Sequence, residues 1–449
     1  MASTYLSKTL GAPTNNKKFT FSCWVKKNAV ASTMDIFHAG ADGPNEAIMC
    51  RFESEGHITI KHDVSGTQEM LKQTNAKYRD PNAWYHIVTV FDTDNSTAED
   101  RQRIYVNGER ITEWLSGSDD NFSQGDDVLA NKAVSHTIGK RNFDSAHYLD
   151  GCLSHVHFCD GQAYDASYFG STDSTTGEWK INVAPSVTYG NNGFFILKDG
   201  NSVTDQSGNG NNWTVGGGTL TNTEDCPSNV FCTINPLIYA VSNNWTLANG
   251  NTAKNSTPTT NAWRTGYGTL GTSSGKYYFE MKVNQIENSD PNNFWVGIID
   301  SEQMDHSSNN ERFHKQSRGY GYHAQSGASG YNNNTYTYGN SWTTNDIIGV
   351  AMDLDNSKLY FHKNGTYQNS GVPTSGSTGT GAISIASGYT YLPAFSQYYG
   401  NEWFSLNFGN GYFQSSAVSS AGTNASNIGI FEYDVPAGYT ALSTKGLNL

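Results

Sequence analysis

Short stretches in which apolar and polar residues alternate are the dominant pattern along this chain. In the stretch FTFSCWVKK, for example, Phe19, Phe21 and Cys23 alternate with polar positions such as Ser22. A period of two is typical of a strand that turns one face to a protein core and the other to solvent. No long segment repeats its apolar residues with the period of a helix. The pattern therefore predicts an all-β protein with antiparallel strands.

The same order of elements occurs twice. Residues 84–111 run from an apolar strand through an acidic turn into RIYVNGERI, and residues 346–371 run from DIIGVAMDLDN into KLYFHKNGTY. The pairs Asn107-Gly108 and Asn364-Gly365 supply the two left-handed residues that a type I′ hairpin requires. Two similarly built β domains are therefore predicted.

The repeat divides the chain into four parts. We assign residues 1–170 to a first sandwich, 261–413 to a second, and 414–449 to a tail that packs on the second domain. Residues 171–260 are an Asn/Gly/Thr-rich connector that still contains the strand-like GFFILKDG and the turn-rich DQSGNGNNWTV. Because a buried strand must pair its backbone groups, we expect packed structure here rather than a bare linker.

Composition narrows the classes of function. The 449 residues carry a formal net charge of −13, and only 15% of them are charged. No Lys/Arg cluster could neutralise a phosphate backbone, so nucleic acid is not an expected partner. No apolar run approaches the roughly 20 residues of a membrane-spanning helix, and the first residues lack a hydrophobic signal core. We therefore expect no membrane insertion and no Sec export.

The cysteines do not suggest a disulfide scaffold, because six in a chain of this length are too few. They are Cys23, Cys50, Cys152, Cys159, Cys226 and Cys232. Cys226 and Cys232 are close enough in sequence to pair in an oxidising medium. Most of the cysteines are expected to be small core residues in a reducing cytosol.

These motifs resemble two known families. Residues 19–165, with FTFSCWVKK, WYHIVTVFD, IYVNGERI and GCLSHVHFCDG in that order, resemble a laminin-G-like, or concanavalin A-like, β-sandwich. Residues 263–410, with SGKYYFEMKV, FWVGIID, RGYGYH, KLYFHKNG and FSLNFG, resemble a SPRY domain, itself a concanavalin A-like sandwich. The resemblance implies a jelly-roll fold for both domains.

One motif stands in an unusual place for the first family. In laminin-G-like sequences a D-x-SGNGN stretch precedes the first long strand, but here DQSGNGNNW begins only at Asp205. The resemblance therefore implies that residues 193–215 fold back and supply edge strands to the first sandwich, as in a circular permutation.

The order of the domains and the tail resembles structural proteins of marine bacteriophages. This resemblance implies a non-enzymatic virion protein that is assembled in the host cytoplasm, contacts other virion proteins and forms a homo-oligomer. The expected role is a tail fibre or other appendage that binds a host-surface glycan or protein. The alternatives are a capsid decoration or tail scaffold protein that contacts only virion proteins, and a glycan-cleaving tailspike.

No complete catalytic motif is present. GTSSGKYY continues into a strand, whereas a phosphate loop opens a helix. A glycosidase needs two carboxyl groups across a cleft, but Glu432 and Asp434 lie in the tail and Glu280 is isolated in its strand. No catalytic residue is therefore assigned.

Metal ligands are few, and we predict neither a metal site nor a cofactor. His155 and His157 share one face of their predicted strand, but histidines on such a strand are more often plain surface residues. The acidic stretches 92–100 and 353–356 could hold a structural calcium ion through carboxylate oxygens. Exposed turns before a hairpin are the favoured interpretation of both.

The stretch AQSGASGYNNNTYTYGNSW is rich in Tyr, Asn, Ser and Gly. Binding loops of antibodies use the same mixture, because Tyr and Trp give rigid contact area while small polar residues adapt their hydrogen bonds. The SPRY resemblance implies partner binding through loops at one end of the sandwich. The residues predicted to contact a ligand are Tyr331, Tyr336, Tyr338, Trp342, Tyr398, Tyr399 and Trp403. Packing of these aromatic rings in the core is the alternative.

Overall fold

A computed structural model describes residues 3–29, 31–198, 202–238, 245–255, 262–286, 294–304 and 312–449 of the chain. These residues form two compact units. Unit 1 comprises Met1–Asn222 with Cys226–Ser228, and unit 2 comprises Thr223–Asp225 with Asn229–Leu449. Both units consist of almost entirely antiparallel sheets joined by turns, so the predicted all-β class is confirmed.

Unit 1 contains an eight-stranded sheet, a six-stranded sheet and a separate hairpin. Its strands are β1 (Tyr5–Thr9), β2 (Lys18–Lys27), β3 (Met34–Asp42), β4 (Glu46–Phe52), β5 (Ile58–Val64), β6 (Thr67–Thr74), β7 (Trp84–Asp92), β8 (Gln102–Val106), β9 (Glu109–Arg110), β10 (Trp114–Asp119), β11 (Ser135–Ile138), β12 (Gly151–Asp160), β13 (Gly170–Thr172), β14 (Trp179–Ile181), β15 (Phe194–Ile196) and β16 (Thr214–Gly217). Short 3-10 turns cover Gly43–Asn45, Ala98–Asp100, Leu129–Asn131 and Ala166–Tyr168. The strand orders are β10-β6-β5-β4-β3-β11-β1-β16 and β15-β12-β2-β7-β8-β9.

The core of unit 1 lies between these two sheets. Phe21 of β2 meets Phe37 of β3 with 4.8 Å between ring centroids, and Phe158 of β12 lies 6.1 Å from Phe37. The alternation in the sequence thus identifies the inward face of β2 correctly, because its apolar residues are the ones that meet the opposite sheet.

The outer face of the six-stranded sheet is buried as well, so the predicted half-buried character of β2 is wrong. Ser22 and Trp24 point away from the core, yet they are 0% and 4% exposed. Trp179 of β14 lies over this face and donates from Nε1 to Nδ1 of His86 at 3.0 Å. Nε2 of His86 lies 2.9 Å from Oγ of Ser22. A hydrogen-bonded polar layer therefore takes the place of solvent on this side.

Residues 193–215, together with the two residues that complete β16, supply one strand to each sheet of unit 1. β15 pairs with β12, and β16 pairs with β1. Phe194 and Trp213 from this segment belong to the core of the unit. The interval 171–260 is therefore not a separate connector. Its residues up to Asn222 belong to unit 1, and those from Asn229 onward belong to unit 2.

Asp205 gives the SGNGN motif a structural role. Its carboxylate accepts hydrogen bonds from the backbone N–H groups of Phe195, Ser207 and Asn211, each at 2.8 Å. Asn211 also donates from Nδ2 to the carbonyl oxygen of Gly193 at 2.8 Å. The motif thus ties the turn to β15.

Unit 2 contains a nine-stranded sheet, a six-stranded sheet and a short hairpin. Its strands are β17 (Thr246–Ala248), β18 (Ala253–Asn255), β19 (Arg264–Tyr267), β20 (Lys276–Gln285), β21 (Phe294–Asp300), β22 (Gly319–His323), β23 (Ser329–Tyr331), β24 (Asn334–Tyr336), β25 (Ile347–Asp353), β26 (Lys358–Lys363), β27 (Thr366–Tyr367), β28 (Ile383–Ser384), β29 (Tyr391–Gln397), β30 (Trp403–Asn407), β31 (Tyr412–Phe413), β32 (Ser416–Ala417) and β33 (Thr440–Ala441). Short 3-10 turns cover Ser301–Gln303, Phe313–Lys315, Gln368–Ser370, Pro373–Thr378 and Gly446–Asn448. The orders are β17-β18-β30-β20-β25-β26-β27, with β28 beside β26 and β33 beside β20, and β19-β29-β21-β22-β23-β24.

The C-terminal residues of unit 2 cover the outer face of its larger sheet. β33 pairs in parallel with β20, and Phe431 meets Tyr278 of β20 edge to face at 5.0 Å. Val435 and Tyr439 belong to the same buried cluster. Each unit thus has one sheet whose outer face is covered by a later segment of the same unit.

The two Asn-Gly hairpins are built with the same hydrogen bonds. Asn107 donates its N–H to the carbonyl oxygen of His86 at 2.9 Å and accepts the His86 N–H at Oδ1 at 2.8 Å. Asn364 makes both bonds with Ile347, each at 2.8 Å. Both asparagines have a φ of +49°, and the glycines that follow have +85° and +82°. These values fit the left-handed conformation of a type I′ turn.

Candidate binding surfaces

Two of the seven predicted contact residues lie in the core of unit 2. Tyr338 is 6% and Trp342 is 1% exposed. The ring of Tyr338 lies 5.7 Å from Tyr322, and its Oη accepts the backbone N–H of Phe361 at 3.1 Å. Trp342 meets Phe294 of β21 at 5.3 Å. In the folded unit neither side chain forms a ligand surface, and the packing interpretation applies to both.

Tyr331 and Tyr336 lie on the hairpin β23–β24 at the edge of the six-stranded sheet. Their rings stack with 4.7 Å between centroids and 18° between planes. Tyr336 is 43% exposed, whereas Tyr331 is half-buried and packs 5.6 Å from Tyr320. Asn332 and Asn333 form the turn with φ of +48° and +57°. The hairpin therefore presents one exposed ring on a short and well-supported turn.

Tyr398, Tyr399 and Trp403 surround the loop between β29 and β30, and all three are half-buried. The rings of Tyr398 and Tyr399 meet edge to face at 5.1 Å, and Tyr398 lies 5.7 Å from Trp263. Trp403 donates from Nε1 to Oε1 of Gln285 at 2.9 Å. This loop is a second aromatic surface, less exposed than the hairpin.

A buried lysine that sequence reasoning missed supports this loop. Lys254 of β18 is 0% exposed, and its Nζ donates to the carbonyl oxygen of Gly400 at 2.7 Å and to that of Glu402. Burial lowers the pKa of Lys254 to about 7, and the Glu402 carboxylate opposes this shift. The surrounding stretch TAKNST is almost entirely polar, so no local pattern indicates that its lysine is buried.

The hairpin and the loop lie toward opposite ends of the six-stranded sheet. Gln397, just before the loop, pairs with Phe294 at the beginning of β21. Tyr331 instead packs on Tyr320, whose partner on β21 is Ile298. Phe294 and Ile298 are four residues apart along β21, which corresponds to roughly 13 Å along the strand. The predicted single surface is therefore divided into two separate ones.

The histidines considered as metal ligands do not share a face. The register of β12 shifts between Ser154 and His157, and His155 has a φ of +48°. His157 is buried and stacks on Phe195 at 3.9 Å, whereas Nδ1 of His155 lies 2.7 Å from Oγ of Ser154. Among the residues that the structure describes, no group of three or more His, Cys, Asp or Glu side chains is arranged to hold a metal ion.

The acidic turns considered for calcium are bonded to protein donors. Asp92 lies 3.3 Å from Nζ of Lys18. Asp353 lies 3.1 Å from Nζ of Lys276 and accepts the backbone N–H of Asn356 at 3.0 Å. These contacts provide partners for the carboxylates without a bound cation.

Glu280 is fully buried between β20 and the C-terminal residues. Its oxygens accept four hydrogen bonds of 2.8 to 3.1 Å, from a hydroxyl, a side-chain amide and two backbone N–H groups. The donors are Tyr278 Oη, Asn407 Nδ2, Glu432 N and Tyr433 N. Burial raises the pKa of Glu280 to about 7, and the hydrogen bonds act in the opposite direction. This arrangement anchors the C-terminal residues to the sheet.

The other two carboxylates considered for hydrolysis bond within the tail. Glu432 accepts the N–H of Ser419 at 2.6 Å, and Asp434 accepts the N–H of Thr423 at 2.6 Å. Within the described part of the chain, none of the six cysteines forms a disulfide; Cys226 is partly exposed and Cys232 is buried. No helix among the described residues has the length and apolar character needed to cross a bilayer.

Comparison with known proteins places a different family on each unit. Residues 2–167 match the family model of the concanavalin A-like lectin/glucanases superfamily, and residues 276–411 match that of the SPRY domain. The E3 ubiquitin-protein ligase RKP of Arabidopsis thaliana is 36% identical over 81 residues, which is 18% of this chain and 6% of that protein. The Ran-binding proteins 9/10 homolog of Drosophila melanogaster is 35% identical over 103 residues, 23% of this chain and 10% of that protein. The chain thus spans a small part of the length of these relatives.

Solved structures are similar to parts of the chain. The SPRY domain of human HERC1 is 17% identical, with a TM-score of 0.26, covering 34% of this chain and 93% of that one. The heptameric SAP-like pentraxin of Limulus polyphemus is 17% identical, with a TM-score of 0.30, covering 48% and 90%. The two family matches show that the chain combines an N-terminal concanavalin A-like domain of the laminin-G-like type, at residues 2–167, with a C-terminal SPRY domain, at residues 276–411.

Proposed function

We propose that this chain is a bacteriophage virion protein that recognises a glycan or protein on the host surface, as part of a tail fibre or other appendage. The observation that carries the proposal is the ring of Tyr336, 43% exposed and stacked on Tyr331 at the edge of a sheet. The phage setting rests on the order of motifs along the chain, which resembles that of phage structural proteins.

The chemistry of the hairpin suits recognition of a sugar or a peptide. An exposed tyrosine ring offers an apolar face, and a ring held by a second ring loses little conformational entropy on binding. Asn332, Asn333 and Asn334 are exposed beside it and offer amide donors and acceptors for hydroxyl groups. One such ring gives weak binding, which the proposed homo-oligomer would strengthen through multivalency.

The proposal is tested by binding of the purified protein to host cells and to an array of bacterial surface glycans. Tyr336→Ala should weaken binding about tenfold or more, as expected for loss of an aromatic contact. Its thermal midpoint should stay close to that of the native protein, because the side chain is exposed.

Tyr399→Ala is the matched control, since it removes a tyrosine from the loop beyond β29. It should leave binding unchanged. Loss of binding with Tyr399→Ala but not with Tyr336→Ala would move the recognition surface to the loop. A different result is that the native protein binds other virion proteins and neither cells nor glycans. That result would replace the proposal with a capsid decoration or tail scaffold protein that contacts only virion proteins.

A further inference from the structure

Few aromatic rings are available for stacking among the residues that the structure describes. Phe143, Tyr168 and Tyr336 are the aromatic side chains that the described structure leaves exposed, at 36%, 43% and 43%. The guanidinium of Arg141 lies over the ring of Phe143, 4.9 Å from its centroid, and occupies that face. Within the described part of the chain, no cation lies over Tyr168 or Tyr336. These two rings are therefore the available ones, one in each unit.

Tyr168 in unit 1 repeats the arrangement of Tyr336 in unit 2. Both are 43% exposed. The ring of Tyr168 packs on Tyr164 with 4.4 Å between centroids and a tilt of 44°. Tyr164 is half-buried against a small apolar cluster that includes Phe169. In each unit an exposed tyrosine thus rests on a second tyrosine that is anchored in the fold. We call such a pair a tyrosine platform.

Hydrogen bonds hold the supporting Tyr164 and the backbone of Tyr168. Tyr164 donates its N–H to Oγ1 of Thr20 at 2.9 Å, and its Oη accepts the N–H of Thr188 at 3.1 Å. Asn182 donates from Nδ2 to the carbonyl oxygen of Tyr168 at 3.1 Å. The turn between the two tyrosines is capped by Asp165, which accepts the N–H of the second residue after it at 2.9 Å. The ring is therefore preorganised, which lowers the entropic cost of binding.

The surroundings of Tyr168 indicate a sugar rather than a protein partner. The exposed neighbours Ser167, Asn182 and Thr188 carry hydroxyl and amide groups, and the exposed apolar residues Val183 and Ala184 follow Asn182. A single ring with a polar rim is much smaller than the roughly 800 Å² per partner of a stable protein interface. The net charge of −13 disfavours anionic polymers, so a neutral oligosaccharide is the ligand that fits.

We infer that Tyr164 and Tyr168 form a second binding site for neutral oligosaccharides, so that each chain carries one tyrosine platform in each unit. This inference rests on the proposed function, because it assigns the same ligand class to the platform of Tyr331 and Tyr336. Two sites on one chain would strengthen binding to a polysaccharide with repeating units.

The test counts bound sugars by native mass spectrometry, with the best-binding neutral hexasaccharides of the glycan array as soluble probes. The native chain should bind two molecules at saturation. Tyr168→Ala and Tyr336→Ala should each bind one, and the double variant none. Tyr168→Phe keeps the ring and should still bind two. Unchanged thermal midpoints show that each variant is folded.

The outcomes separate the inference from the proposed function. A native chain that binds one hexasaccharide, with binding lost in Tyr336→Ala and kept in Tyr168→Ala, overturns the second site and leaves the proposed function intact. The second site is also overturned if Tyr168→Ala still binds two hexasaccharide molecules. Absence of binding to any hexasaccharide overturns the glycan form of both proposals.

Discussion

Buried titratable residues determine how the stability of unit 2 responds to pH, and Glu280 is the clearest case. Its pKa is about 7 in the folded unit, above the roughly 4.3 expected in an unfolded chain. The folded state therefore holds the proton more tightly than the unfolded state. The stability gained in this way is fully present below the unfolded pKa and is lost as the pH rises through about 7.

We expect Glu280→Gln to remove this contribution, because glutamine does not titrate. The free energy of unfolding of the native protein, minus that of the variant, should fall by about 1 to 3 kcal/mol between pH 5 and pH 8. Urea unfolding at several pH values measures it. Glu302→Gln, at a side chain that is 74% exposed, serves as the control and should leave the pH dependence unchanged. The prediction would be refuted if the free energies of unfolding of the native protein and of Glu280→Gln changed with pH by the same amount.

Single residues also show where sequence patterns stop being informative. Tyr336 and Tyr338 occupy alternate positions, so alternation alone would place them on one strand face, but β24 ends at Tyr336. Beyond that point the chain turns, so Tyr338 enters the core while Tyr336 stays exposed. Lys254 could not be identified because the carbonyl oxygens that hold it belong to Gly400 and Glu402, far away in the sequence. Alternation predicts the direction of a side chain within one strand, not what covers it.

At the scale of elements, the two Asn-Gly hairpins were predictable from sequence because a type I′ turn depends on local backbone chemistry. The covered outer face of β2 was not. Its Ser22 and the facing His86 of β7 are polar, and polar residues that bond to each other look like solvent-facing ones in a sequence. Burial of this layer depends on Trp179, which lies 93 residues from His86.

The matching hydrogen bonds of the hairpins predict matching energetic effects. Asn107→Ala and Asn364→Ala should each destabilise their turn by about 1 to 2 kcal/mol, because alanine loses the Oδ1 acceptor and tolerates a positive φ poorly. Hydrogen exchange at the amides of His86 and Ile347, which donate to these oxygens, should accelerate by roughly 5- to 30-fold.

Glycine at the same positions separates the two causes. Asn107→Gly and Asn364→Gly keep the left-handed backbone and lose only the side-chain acceptor, so their effects should be smaller than those of alanine. A large effect in one hairpin and none in the other would show that the shared hydrogen bonds do not carry the stability of the turn.

At the scale of the whole molecule, fragments test where unit 1 ends. Residues 193–217 provide β15, β16 and core residues such as Phe194 and Trp213. A fragment of residues 1–170 loses them, which exposes the edges of β12 and β1 and removes part of the core. We expect this fragment to aggregate, whereas a fragment of residues 1–222 should be soluble, monodisperse by size-exclusion chromatography and rich in β structure by circular dichroism. A soluble, cooperatively unfolding 1–170 fragment would show that the fold-back is dispensable, and the first sandwich would then be complete without its two late strands.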